Sequence, residues 1–334
     1  MVKILAIESS CDETAAAVIE DGKRVLSNII ASQIPTHQIY GGVVPEIASR
    51  EHLEAVVSVV DQAMVQANLS FGEIDGIAVT KGPGLVGSLL VGVSYGKALA
   101  MALKKPLIGV HHLEGHIMAN FLEHPELTFP FLALVVSGSH SGLIWVEDFG
   151  KYRPLGQSRD DAAGEAFDKI ARALGLPYPG GPAIQKAALS GNPAKYEFPR
   201  AWLENNSYDF SFSGLKSSVL NFLNQCRMKG EPILVSDIAA SVQEAIVEVL
   251  AAKAIKGALA EQTDTIVLAG GVAANQHLRE RLLANSDGLK ILWPSLVFCT
   301  DNAAMIGAAA FGKYKKGEFE DLSLNAYANL PIFV

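Results

Sequence analysis

Cysteine is scarce in this sequence. Cys11, Cys226 and Cys299 are the only three, far apart and odd in number, so they spell neither a disulfide framework nor a Cys-x-x-Cys site. A reducing, cytoplasmic compartment fits that usage. Charge is sparse as well: Asp, Glu, Lys and Arg make up 19% of the chain, and acid outweighs base to give a net charge of −8. A surface that binds nucleic acid unaided is usually basic, so an RNA partner would have to meet a local patch or come with a helper protein. With 30 Gly and 15 Pro in 334 residues, a collagenous or low-complexity chain is excluded. The opening MVKILAIESS lacks the design of a cleavable signal and reads as a strand. One stretch, 85–103, is long enough to span a bilayer, but it contains Lys97, and a mid-membrane lysine costs roughly 2.5–3.5 kcal/mol. Gly84, Ser88, Gly92 and Gly96 recur there every four residues and leave one helix face bare. Such a face permits close packing in lipid or in a core. The strand-like runs on either side favour a soluble core helix, with no membrane.

Hydrophobic residues, at 49%, are ample for a large core, and 334 residues suggest about two domains. Residues 3–8 and 15–19 read as strands around the acidic turn SSCDET. Strands are expected at 75–80 and 106–111, each leading into a helix. A fresh start comes at 130–147, where FLALVVSGSHSGLIWVE reads as two strands around a Gly/Ser turn. Helices are expected at 161–175, 183–190 and 235–260, then a buried strand at 265–270, a helix over GVAANQHLRERLLAN and a last helix near 302–316. Each half opens strand–loop–strand and continues with strand-to-helix turns. The reading is therefore α/β: two similar lobes, 1–128 and 129–301, with 302–334 returning to the first and a central ligand cleft.

Several segments could carry chemistry. His112 and His116, four apart on a helix, share one face and can share a metal, or can simply be a solvated pair. In His112-Leu-Glu-Gly-His116 the Glu does not directly follow the first His, which speaks against metalloprotease chemistry. His111 projects elsewhere and reads as structural, and His37, His52, His124 and His277 read as surface or supporting residues. Asp301 either caps the helix that follows it or supplies a third, oxygen ligand. Gly270 and Gly271 open a helix whose backbone N–H groups suit a phosphate, and Asn275 follows on its first turn. Ser137-Gly138-Ser139-His140 is a second turn rich in backbone donors, or an ordinary hairpin. Asp161, Glu165 and Asp168 share a helix face, a like-charge cluster that hints at ribose hydroxyls or a cation, or is a solvated acidic face. Lys313, Lys315 and Lys316, with Arg50, Lys97, Lys104 and Lys105, are the basic candidates.

Taken in order, IESSCDET (7–14), GGVVPEIASREH (41–52), GPGLVGSLLVG (82–92), HHLEGH (111–116), VSGSH (136–140), DDAAGEAFDKIARALGLPYPGGP (160–182), DFSFSGLKS (209–217), GGVAAN (270–275) and FCTDNAAMI (298–306) closely resemble the bacterial tRNA N6-adenosine threonylcarbamoyltransferase family. The resemblance runs the whole chain. It implies the two-lobed fold of actin, sugar kinases and heat-shock ATPases, in the cytoplasm. It implies transfer of threonylcarbamoyl from threonylcarbamoyl-AMP to N6 of the adenosine 3′ of the anticodon, in tRNAs reading codons that begin with adenine. It implies one metal on His112, His116 and Asp301, Fe2+ with Zn2+ or Mg2+ replacing it in preparations, and an adenylate site lined by Val135, Val136, Ser137, Gly138, Ser139, Asp168, Gly181 and Asn275. Asp12 and Glu13 match acidic positions that matter for activity and are the catalytic candidates. Expected partners are tRNA, a paralogous lobe-forming subunit and a small ATPase subunit, with a separate enzyme making the adenylate. Ser139 stands where the family usually has Gly, and Gln185 where relatives are often acidic. The rival readings are a small-molecule kinase of the same fold, a metallopeptidase and a non-catalytic nucleotide-binding scaffold.

Overall fold

The computed structural model describes residues 1–204 and 207–332. Residues 205, 206, 333 and 334, which fall within the two lobe assignments, lie outside the described residues. The chain forms two compact units: Met1–Phe129 with Glu147–Tyr152 and Pro294–Val334, and Pro130–Val146 with Arg153–Trp293.

In the first unit the order is β1 (Lys3–Glu8), β2 (Glu13–Glu20), β3 (Arg24–Ser32), α1 (Ile34–Gln38), α2 (Pro45–Ala67), β4 (Gly76–Gly82), α3 (Val86–Leu103), β5 (Leu107–His111) and α4 (His112–Met118). The second contributes β6 (Phe131–Val136), β7 (Ser141–Asp148), β8 (Lys151–Gln157), α5 (Ala163–Ala173), α6 (Gly180–Ala188), α7 (Ser213–Lys229), α8 (Val235–Ala260), β9 (Thr265–Ala269), α9 (Gln276–Ala284) and β10 (Lys290–Leu292). Glu147–Tyr152, the turn between β7 and β8 with the strand ends beside it, belongs to the first unit. The chain then returns there with α10 (Leu296–Cys299) and α11 (Ala303–Lys316).

The sheets repeat one plan. The first runs β3-β2-β1-β4-β5 and the second β8-β7-β6-β9-β10. In each, the opening strand pairs antiparallel with its hairpin partner and parallel with the strand that follows the helical crossover. Strands β1 and β6 are covered on both faces, which explains their unbroken apolar runs.

Helix α3 is the one helix among the described residues long and apolar enough to cross a membrane. It lies instead on the first sheet, and its small residues are the reason it can. A Cβ at Gly92 would stand 2.5 Å from Ser9 Oγ, and one at Gly96 would stand 2.2 Å from Val79 Cγ1.

The structure departs from the sequence reading at three places. Strands β3, β8 and β10 and helices α2 and α7 lie outside the expected elements; β3 is half-exposed and β8 largely exposed, so their apolar pattern is broken. The expected helix over 271–285 is split: a 3-10 turn covers Gly271–Ala274, Asn275 is extended (φ −65, ψ 117), and α9 starts after it. Residues 294–301 pack with the first unit, where Ser295 N donates to Glu123 Oε2 at 2.5 Å and Cys299 is fully buried.

Gly96→Ala should lower stability by about 1–3 kcal/mol, because the added methyl must displace a β-branched neighbour within the sheet. A urea midpoint equal to that of the unsubstituted chain would refute this packing.

Candidate metal centre and nucleotide-binding turns

Strand β5 runs directly into α4. His111 ends the strand and caps the helix: its Nδ1 accepts from Leu113 N at 3.1 Å, and its Nε2–H donates to Leu330 O at 2.9 Å. It is structural, as its sequence position suggested. One residue on, His112 and His116 lie a helical turn apart on the same face. Gly115 between them lets α4 approach α11, since a Cβ there would stand 2.8 Å from Ile306 Cδ1. Glu114 points the other way, to Tyr152 OH at 2.9 Å and Lys313 Nζ at 3.6 Å.

Asp301 completes the group from the loop before α11. Its choice between two roles is decided by its neighbour: Asn302 is the cap, accepting from Met305 N at 2.9 Å, which leaves the Asp301 carboxylate to the histidines. His116 Nε2 stands 3.2 Å from His112 Nε2 and 3.1 Å from Asp301 Oδ1, and His112 Nε2 stands 3.5 Å from the same oxygen. Two nitrogens and a carboxylate oxygen all within 4.8 Å can hold a metal ion. The edges of that triangle suit ligation: donors about 2.0–2.2 Å from a common tetrahedral ion lie roughly 3.3 Å apart.

Glu8 sets the tautomer. Fully buried at the end of β1, it accepts from Ser10 N (2.6 Å) and Thr80 Oγ1 (2.6 Å), and its Oε2 stands 3.3 Å from His112 Nδ1. His112 Nδ1 also lies 3.1 Å from Ser10 Oγ. A proton on Nδ1 leaves the Nε2 lone pair aimed at the triangle, the carboxylate–histidine pairing of metal sites. Burial opposes charge on His112, but Asp301 and Glu8 outweigh it and carry its pKa to about 9. Burial likewise opposes ionisation of Asp301, and His112 and His116 outweigh it and hold the carboxyl at about 2.

The acidic turn lies in the same unit. Asp12 and Glu13 are both nearly buried. Burial, Asp301 and Asp12 push the Glu13 carboxyl up to about 10, and it hydrogen-bonds Asp12 while accepting from Ser32 Oγ at 3.1 Å.

In the second unit, backbone approaches explain the glycines. Val135 pairs with Ala269, so the ends of β6 and β9 adjoin. Gly270 has φ +88, and a Cβ there would strike Val136 O at 2.5 Å; a Cβ at Gly164 would strike Ser137 O at 2.5 Å. Gly138, Gly181 and Gly271 face open space. Val135 and Val136 bury their side chains, so only their backbone can meet a ligand. Ser137 Oγ accepts from the backbone N–H of Ser139 and His140, and Ser139 Oγ stands 2.8 Å from His140 Nδ1. Asp168 Oδ1 accepts from Gly180 N at 2.7 Å and ties α5 to α6. Asn275 caps α9 through Leu278 N and donates to Gln243 Oε1 at 2.9 Å. Gln185 Oε1 accepts from Gln276 N at 2.8 Å, a bond an acidic residue could also make.

The structure bears on three readings that the sequence left open. The acidic cluster is not unpaired: Lys169 bridges Asp161 and Glu165, and Lys216 pairs with Asp161. His37 and His52 are fully buried, which leaves them the supporting one of the two roles read for them. Among the basic candidates, Arg50 pairs with Glu46, while Lys97 donates to Leu324 O and Lys316 to Phe149 O. Sequence reading missed Glu8 and Thr80; an acid closing an otherwise apolar strand was the only signal.

The duplicated sheets are shared with solved structures. Full-length HypF in its phosphate- and nucleotide-bound form matches with a TM-score of 0.65 at 14% identity, over 96% of this chain and 47% of that one. The (R)-2-hydroxyglutaryl-CoA dehydratase component A of Acidaminococcus fermentans matches with 0.55 at 16% identity, over 95% and 99%. The molecule thus has the fold class of actin, sugar kinases and heat-shock ATPases, and it carries on that frame a His-His-Asp group able to hold a metal ion. The model of the tRNA N6-adenosine threonylcarbamoyltransferase family matches residues 24–308, and the chain belongs to that family. Enzymes of that name from Clostridioides difficile (strain 630) and Desulfitobacterium hafniense (strain Y51) are 58% and 59% identical to it, each over 98% of its own length and 98% and 99% of this chain. The chain is therefore a transferase of tRNA modification, which decides against the kinase and peptidase readings.

Glu8→Gln should weaken divalent-metal binding about 10- to 100-fold, the usual cost of losing an outer-shell partner. Because a proton competes for His112 below pH 9, apparent affinity should also fall as pH drops from 9 towards 7. Titration of the metal-stripped protein checks both; a pH-independent affinity equal to that of the unsubstituted chain would contradict them.

Proposed function

We propose that this enzyme transfers the threonylcarbamoyl group of threonylcarbamoyl-AMP to N6 of the adenosine 3′ of the anticodon, in tRNAs reading codons that begin with adenine. The observation that carries the reading is the convergence of His112, His116 and Asp301, with Glu8 orienting His112. These three residues would hold one divalent ion, Fe2+ by family resemblance, with Zn2+ or Mg2+ able to replace it in preparations. When bound, it supplies Lewis-acid polarisation of a carbonyl or phosphoryl oxygen.

The adenylate is assigned to the second unit. Backbone groups of Val135 to Ser139 and Gly181, with Asp168 and Asn275, hold the AMP part. The open faces of Gly138 and Gly181 support this, because nothing there keeps a ligand from the backbone. Ser139 in place of Gly narrows one approach. The mixed anhydride is already activated, so positioning and charge stabilisation supply most of the rate.

In the transfer, the N6 lone pair forms the bond to the carbamoyl carbon. The bond from that carbon to the phosphate oxygen breaks, and its electron pair leaves with AMP. The proton released from N6 goes to Asp12. Of the two acidic candidates, Glu13 is the poorer acceptor, since burial and the Asp301 and Asp12 carboxylates favour its protonated form. A paralogous subunit and a small ATPase subunit act with this chain in the cytoplasm, and they supply RNA contacts that a surface of net charge −8 lacks.

Mass spectrometry of anticodon-loop nucleosides, after incubation with tRNA, threonylcarbamoyl-AMP and the partner subunits, should detect threonylcarbamoyl-adenosine. His112→Ala with His116→Ala should abolish metal binding and transfer together. Asp12→Asn should slow transfer about 10²- to 10⁴-fold, the range of a lost general base. Full activity in the metal-free double variant would sink the metal reading, and an unimpaired Asp12→Asn the assignment of the proton.

A further inference from the structure

The segment GGVVPEIASREH ends in His52, a fully buried residue on α2 that the transfer chemistry above does not use. Its ring spans the acidic turn. Nε2 stands 3.0 Å from Cys11 O and Nδ1 stands 2.7 Å from Thr14 Oγ1. A carbonyl can only accept, so Nε2 carries the proton and Nδ1 accepts from the Thr14 hydroxyl. Burial holds the ring below the ordinary imidazole pKa, in keeping with this neutral tautomer. The two partners flank Asp12 and Glu13, so one side chain clamps both ends of the acidic pair.

The rest of the turn is held from other elements. Leu85 N donates to Ser10 O at 2.8 Å, and Gln33 N donates to Asp12 O at 2.9 Å. Three successive carbonyls are thus fixed by three separate segments, and only the middle one is fixed by a side chain. Removing that side chain would free the turn at its centre while leaving both outer anchors in place.

We infer that His52 is a positioning residue: by clamping Cys11 O and Thr14 Oγ1 it holds the acidic turn in the one conformation that presents Asp12 to the substrate amine. The inference rests on the proposed role of Asp12, but the clamp itself has an independent readout. Cys11 is partly exposed, whereas Cys226 and Cys299 are buried. Cys11 alkylation therefore reports directly on opening of the turn.

The test uses the metal-loaded full chain with its partner subunits and tRNA. Iodoacetamide labelling is mapped by mass spectrometry, and kcat and KM are measured in parallel. Thr14→Val removes one contact without changing shape, His52→Leu removes both, and His52→Gln keeps a donor for Cys11 O. His52→Leu should speed Cys11 labelling about thirtyfold, the shift expected from the loss of two hydrogen bonds of ordinary strength. It should lower kcat by a comparable factor with KM for tRNA and metal content unchanged. His52→Gln should restore most of both, and Thr14→Val should lie between. Added to Asp12→Asn, His52→Leu should slow transfer no further. If His52→Leu does not fold, the graded response of Thr14→Val and His52→Gln decides the question. Unchanged Cys11 labelling in the variants that fold, or multiplicative losses in the double variant, would overturn the positioning role. Faster labelling together with a fully active Asp12→Asn would leave the clamp standing and instead remove Asp12 as proton acceptor.

Discussion

A carboxylate with no access to water governs the first unit. Glu8 closes the central strand of its sheet, where an unpartnered charge would be prohibitive. Its bonds to Ser10 N, Thr80 Oγ1 and His112 Nδ1 reconcile it with burial, and each does structural work. The first bends the chain out of β1 into the acidic turn. The second ties β1 to β4. The third turns the imidazole so that its other nitrogen meets His116 and Asp301. The triangle of His112, His116 and Asp301 is in this sense the outer face of a buried hydrogen-bond network, and its geometry depends on a residue that does not belong to it.

The second unit solves a different problem with the same sheet plan. Its turns carry little charge, and its polar side chains accept from nearby backbone N–H groups: Asp168 from Gly180, Asn275 from Leu278, Gln185 from Gln276. What these turns offer is backbone. Glycines at 164 and 270 let the chain fold close on itself, and glycines at 138, 181 and 271 leave the outer approach clear. Recognition through peptide groups suits an anionic, nucleotide-like ligand, and it tolerates changes of side chain better than changes of backbone volume.

Much of this was legible in the residues. Apolar runs located both opening hairpins, because a strand covered on two faces cannot hide its pattern. The four-residue spacing of His112 and His116 implied a shared face, and the regular glycines of α3 implied close packing. Half-exposed β3 left no such pattern. The break at Asn275 was missed because GVAAN carries no proline and a single capping side chain decides where α9 starts. Lys216 was equally out of reach, being 55 residues from Asp161 in sequence, whereas Lys169 stands one helical turn after Glu165 and its pairing there was legible.

Local periodicity and composition were enough to determine the α/β class, the two-part organisation and the pairing of the histidines, since each depends on neighbours within a turn or a strand. Only the folded chain could decide that Asp301 stands beside both histidines while Asn302 caps, that Glu8 orients His112, and that His52 grips the turn beside Asp12. Those assignments join residues tens to hundreds of positions apart, and the pressure that selects them is the need of every buried polar atom to find a partner, which becomes defined once packing has removed the water.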